Sequence, residues 1–105
     1  QDAKVEERRA VFGERLRATE ARLNAMRGVR CRPVEGAFYL FPDVSGTGLS
    51  SEEFSLRALR EAGVGVLPGN AFGESGEGHI RIACTQDMKS LMRAMDALER
   101  FTAAL

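Results

Sequence analysis

The sequence predicts an α+β domain of two layers: a short, mixed or mostly antiparallel sheet covered on one face by helices. The expected order is α-β-β-α-β-β-α, with a long N-terminal helix. Three observations carry this. Amphipathic stretches of helical spacing open and close the chain. Short β-rich runs lie between them, separated by turns or by one capped helix. At 105 residues, with 44% hydrophobic and 29% charged side chains, the chain suits a single globular core.

The first helix is expected over 2–27, where Val5, Phe12, Leu16, Thr19, Leu23 and Met26 form one stripe and Glu and Arg fill the other faces. Glu6-Glu7 and Arg8-Arg9 read as a solvated face. Gly28 is a natural stop. Residues 29–33 form the first strand candidate, Glu35-Gly36 a turn, and 37–42 a second, aromatic strand. Ser50-x-x-Glu53 is a capping-box pattern opening a helix that runs to Ala62, with Phe54, Ala58, Leu59 and Ala62 inward and Gly63 ending it. A third strand is expected over 64–67 and a glycine-rich loop over 68–78. The fourth strand, 79–84, sends Ile80, Ile82 and Cys84 one way and His79, Arg81 and Ala83 the other. Thr85 or Asp87 caps the last helix, whose stripe is Met88, Leu91, Met92, Met95, Leu98 and Thr102.

Composition excludes several functions. Fifteen basic residues balance fifteen acidic ones, without the basic excess of a nucleic-acid binder. The longest clean apolar run, 37–41, is far short of the ~20 residues of a membrane-spanning helix. Charged residues recur through the first ten positions, so no signal peptide is expected there. Two cysteines, Cys31 and Cys84, form neither a disulfide framework nor a zinc pattern, and fit a reducing cytoplasm. They read as buried apolar residues, and His79 as a strand-end surface residue. Because the chain begins with Gln1, it is expected to be a fragment of something longer.

Arg81 is the most informative residue. A guanidinium presents a planar fork that matches a carboxylate bidentately, and a strand holds such a group steadily. Spacing alone favours a sheet arginine paired with an acidic neighbour; the alternative is a carboxylate anchor. The loop 68–73 is neither a dinucleotide fingerprint nor a Walker loop. Phe38 and Tyr39 face opposite sides, so one belongs to the core and the other lines a surface or cleft.

Taken together, Glu35-Gly36-Ala37-Phe38-Tyr39-Leu40-Phe41-Pro42, then Pro68-Gly69-x-x-Phe72-Gly73, then Gly78-His79-Ile80-Arg81-Ile82 and a closing amphipathic helix resemble one known family. The resemblance is to the C-terminal small domain of class I/II (fold type I) pyridoxal-phosphate aminotransferases, the aspartate-aminotransferase-like group. It runs from about Arg8 to Phe101. It implies that Arg81 grips the substrate α-carboxylate, that Phe38 lines the substrate pocket, and that Gly36 lies within backbone reach. It places no catalytic, cofactor-binding or metal-binding residue within 1–105. Residues 83–85, Ala-Cys-Thr, depart from the Ser, aromatic and Ala more usual there.

The cofactor implied is pyridoxal 5'-phosphate, held in the full-length enzyme by a large domain absent from this chain. Neither Lys4 nor Lys89 matches the Schiff-base lysine motif. The expected partners are an amino acid or 2-oxo acid, the missing N-terminal large domain, and a second copy in a cytoplasmic homodimer, with no nucleic acid and no membrane. The whole enzyme is expected to transaminate and this chain alone to be inactive. The alternatives are a stand-alone amino-acid-binding or regulatory module, and a dimerisation domain docking through helix 2–27.

Overall fold

The computed structural model describes residues 2–32 and 39–105, without the side chains of residues 2–10, Phe12, Phe72 and Glu74. The Glu35-Gly36 turn lies outside the described residues. Helix α1 spans Asp2–Asn24 and strand β1 spans Tyr39–Leu40. Helix α2 spans Ser51–Arg57 and continues into a π-helical turn over Ala58–Ala62. Strand β2 is Leu67–Pro68, β3 is Ile80–Ala83, and helix α3 is Met88–Ala103. The order in the sheet is β1-β3-β2, and both pairings are antiparallel.

The long helix ends three residues before its expected limit. Ala25 to Gly28 form a turn, and Gly28 takes φ +79°, a left-handed conformation that glycine adopts without strain. Of the expected stripe, Leu16, Thr19, Leu23 and Met26 are buried. The Thr19 hydroxyl donates to the Arg15 carbonyl at 2.6 Å, so its burial leaves no polar atom unpaired. The strand expected at 29–33 contracts to one bridge, Arg30 to Asp43. Asn24 explains the contraction. Its amide donates to the Cys31 carbonyl and accepts from the Cys31 N–H, each at 2.8 Å, so the next residue's backbone is bonded to a side chain rather than to a ladder.

Helix α2 opens as its sequence predicts: the Ser50 hydroxyl accepts from the Glu53 N–H at 3.1 Å. Its inward face differs from expectation at one position. Phe54 and Ala58 are buried and Ala62 is half-buried, but Leu59 is 57% exposed. The π turn inserts an extra residue per hydrogen-bonded ring, which shifts the phase of the helical stripe. The third strand shortens for a related reason. The Val64 N–H is bonded to the Ala58 carbonyl, closing the helix end instead of joining the sheet.

The buried face of the sheet, Leu40, Ile80 and Ile82 with Cys84 beyond, joins one apolar cluster with residues of all three helices. Leu91, Met95, Leu98 and Phe101 supply the α3 share, and the Asp87 carboxylate caps that helix by accepting from the Ser90 N–H at 2.7 Å. Phe54 and Phe101 meet edge to face, with ring centroids 5.3 Å apart. Arg22 ties α1 to α3 by donating to Asp96 and Glu99 at 2.6 and 3.0 Å. Among the described residues, no helix is long and apolar enough to cross a membrane.

Candidate functional site

The alternation of β3 builds the site. Ile80 and Ile82 point into the core, which turns Arg81 and Ala83 to the opposite face, where both are half-buried. Because β3 is the central strand, Arg81 has a neighbour on each side. Leu67 of β2 stands directly opposite it, and Tyr39 of β1 stands opposite Ala83. Residues paired in this way share a face. Tyr39, Leu67, Arg81 and Ala83 therefore lie together on the surface turned from the core. Leu67 is about half exposed.

Within this group the Arg81 guanidinium lies over the Tyr39 ring, with Cζ 4.5 Å from the ring centroid. That is inside the range of a cation–π contact. Of the three site residues expected from the sequence, Arg81 is the one among the described residues. Phe38 and Gly36 lie outside them. The aromatic ring that the structure brings to Arg81 is Tyr39. Strand alternation was the signal that could have selected it: β1 pairs antiparallel with β3, and Tyr39 and Arg81 share the parity that faces away from Leu40 and Ile82.

The loop 68–78 approaches β3 from its N-terminal end and is not structureless. It contains two 3₁₀ turns, Gly69–Phe72 and Glu74–Gly76. Gly69 packs against the backbone of Gly76 and His79, leaving no room for a Cβ, so the Pro68-Gly69 start requires glycine for close approach. The Gly69 N–H donates to the His79 carbonyl at 2.7 Å. Two side chains bind this loop to α2. Asn70 donates to Glu52 at 2.8 Å. Glu77 accepts from the Ser51 N–H at 3.0 Å, from the Ser51 hydroxyl at 3.1 Å and from the Gly78 N–H at 2.9 Å. Glu77 thus satisfies a free amide at the start of α2 and holds the chain leading into β3, four residues before Arg81.

These bonds hold the Glu77 carboxyl below its ordinary value, first through the Ser51 backbone amide. The Asp87 carboxyl is lowered in the same way by the Ser90 amide. A depressed carboxyl binds its proton less readily when folded than when unfolded. It therefore adds stability above the ordinary carboxylate range, about pH 4 to 4.5, and loses it as the pH falls through the lowered folded value. Glu77→Gln is accordingly expected to flatten the loss of stability below about pH 4.5. Unfolding midpoints measured from pH 3 to 7 check this; an acid limb identical in wild type and variant would count against it.

The remaining chemistry-bearing residues are quiet. Cys31 and Cys84 are both buried. Burial pushes the Cys31 thiol up to about 11, the opposite of what a nucleophile needs. His79 is half-buried, bridges to Asp43 through its backbone, and has its ring nitrogen 3.4 Å from the Glu77 carbonyl. Among the described residues, no group of three or more His, Cys, Asp or Glu side chains is arranged to hold a metal ion.

Comparison with known proteins gives a consistent result. Residues 1–98 match the family model for aminotransferase class I and II. A curated aspartate aminotransferase from Pyrococcus horikoshii is 44% identical over 96 residues, covering 91% of this chain and 25% of the relative. The crystal structure of an aromatic aminotransferase from Pyrococcus horikoshii superposes with a TM-score of 0.93 at 40% identity, over 97% of this chain and 27% of the other. A PLP-bound relative from Clostridium difficile 630 superposes with a TM-score of 0.78 at 26% identity, over 84% and 23% of the two chains. The chain spans about a quarter of the length of these relatives.

Proposed function

Because the chain belongs to the class I and II aminotransferases, we propose that it is the C-terminal small domain of a pyridoxal-phosphate-dependent aminotransferase, within which Arg81 anchors the substrate α-carboxylate. The observation that carries this reading is Arg81 on the central strand, half-buried on the face turned from the core, with its guanidinium over the Tyr39 ring. Amino transfer runs between an amino acid and a 2-oxo acid. The two differ at the α-carbon but share the carboxylate. One guanidinium fork can therefore hold both the donor and the acceptor in the same orientation. Fixing that end of the substrate restricts the reacting carbon to one position, which is how positioning lowers a barrier.

The named relatives support a role confined to the shared carboxylate. One is an aspartate aminotransferase and another an aromatic aminotransferase, at 44% and 40% identity. Substrate side chains as different as these have the α-carboxylate in common, and the choice between them is assigned largely to parts of the protein outside residues 1–105.

The electron-sink chemistry belongs to the cofactor. Lys89 is exposed on the first turn of α3, beside the capping Asp87, which supports placing the cofactor's anchor elsewhere. We assign the ring's lysine to polypeptide beyond this chain, and the active form to a cytoplasmic homodimer of the whole protein.

Borohydride reduction tests the division of labour. Incubated with pyridoxal phosphate and reduced, the 105-residue chain is expected to give no site-specific lysine adduct and no turnover of an amino donor. The whole protein is expected to give one adduct, located by peptide mapping outside these residues. A specific adduct at Lys4 or Lys89 accompanied by turnover would overturn the reading.

A further inference from the structure

Tyr39 and Arg81 are not opposite one another in the ladder. Tyr39 pairs with Ala83, and Arg81 lies two residues back along β3. They form a diagonal cross-strand pair, a separation that an aromatic ring and a long side chain can span. Ala83, directly opposite Tyr39, carries only a methyl group, and the Arg81 Cζ lies 4.5 Å from the ring centroid.

We propose that Tyr39 is a positioning residue: its ring fixes the plane of the Arg81 guanidinium so that the in-plane N–H edge meets the substrate carboxylate. This rests on reading Arg81 as the carboxylate anchor. A guanidinium engages an aromatic ring through its face and a carboxylate through its edge, so the two contacts do not compete. A long side chain that must order itself on binding weakens affinity, and one already ordered by a ring does not. The ring does this work and the hydroxyl does not, since the guanidinium carbon lies over the π system, 4.5 Å from the ring centroid.

The test is steady-state kinetics of the whole protein with an amino-acid donor. Tyr39→Leu is expected to raise KM about three- to twentyfold, the range of a half-buried cation–π contact, with a smaller change in kcat. Tyr39→Phe keeps the ring and is expected to recover most of that loss. Ala83→Leu crowds the ring away from Arg81 and is expected to shift KM in the same direction as Tyr39→Leu. In an Arg81→Ala background, Tyr39→Leu is expected to add less than about twofold, because the group it positions is gone. An equal penalty from Tyr39→Leu with and without Arg81 would mean general loosening of the sheet and would overturn the proposal. A raised KM in Arg81→Ala with none in Tyr39→Leu would overturn the role of Tyr39 alone. An unchanged KM in Arg81→Ala would overturn the anchor reading itself, and this inference with it.

Discussion

Arg81→Ala in the whole protein is expected to raise KM for the amino-acid donor on the order of a hundredfold or more, the usual cost of removing one partner of a desolvated, hydrogen-bonded charge pair. Arg81→Lys keeps the charge but loses the planar fork. It is expected to cost about tenfold or more, because a single ammonium cannot make two parallel bonds to one carboxylate. The loss is expected for donors with different side chains alike, since all present the same carboxylate. Kinetics on two chemically unlike donors, together with the dissociation constant of a simple carboxylate inhibitor, check this. Near-normal constants in Arg81→Lys would show that the fork is not what the substrate meets.

The second large effect is on stability. Phe54 is fully buried at the meeting point of α2 and α3, edge to face with Phe101. Phe54→Ala removes a large apolar side chain from a site closed by neighbours on two helices and is expected to cost about 3–5 kcal/mol. Urea unfolding and amide hydrogen exchange of α2 and α3 measure it. Leu59→Ala is the control. Though only five residues further along, Leu59 is 57% exposed, and its replacement is expected to stay within about 0.5 kcal/mol. Equal losses for the two variants would contradict the inward face drawn for this helix.

The contrast between Phe54 and Leu59 shows where local pattern stops being informative. A hydrophobic stripe marks a helix and its core side as long as each turn holds 3.6 residues. Leu16 and Leu23 of α1 and Leu91, Met95 and Leu98 of α3 obey it, and all five are buried. The Ala58–Ala62 turn breaks the period, and no residue type within it announces the break. Caps are local too: Ser50 and Asp87 each bond an amide three residues on; Ser50 is readable from residue type and spacing, and Asp87 is one of two candidates with Thr85. By contrast, the edge strands depend on what long-range partners do with the backbone. Asn24 occupies Cys31, and Ala58 occupies Val64, so two expected strands shorten.

The candidate site divides along the same line. Strand alternation alone sets Arg81 on the face away from Ile80 and Ile82, and its residue type alone gives it the planar fork that a carboxylate can match. Those facts are intrinsic to a short stretch of chain, because side-chain parity on a strand and the geometry of a guanidinium need no distant partner. Which ring lies beneath the fork depends on register between strands some forty residues apart in the chain, pinned at Tyr39 opposite Ala83. Glu77 reaching the start of α2 is likewise a long-range contact, made across 26 positions. Such pairings follow from how the whole core packs, and only the folded chain brings them together.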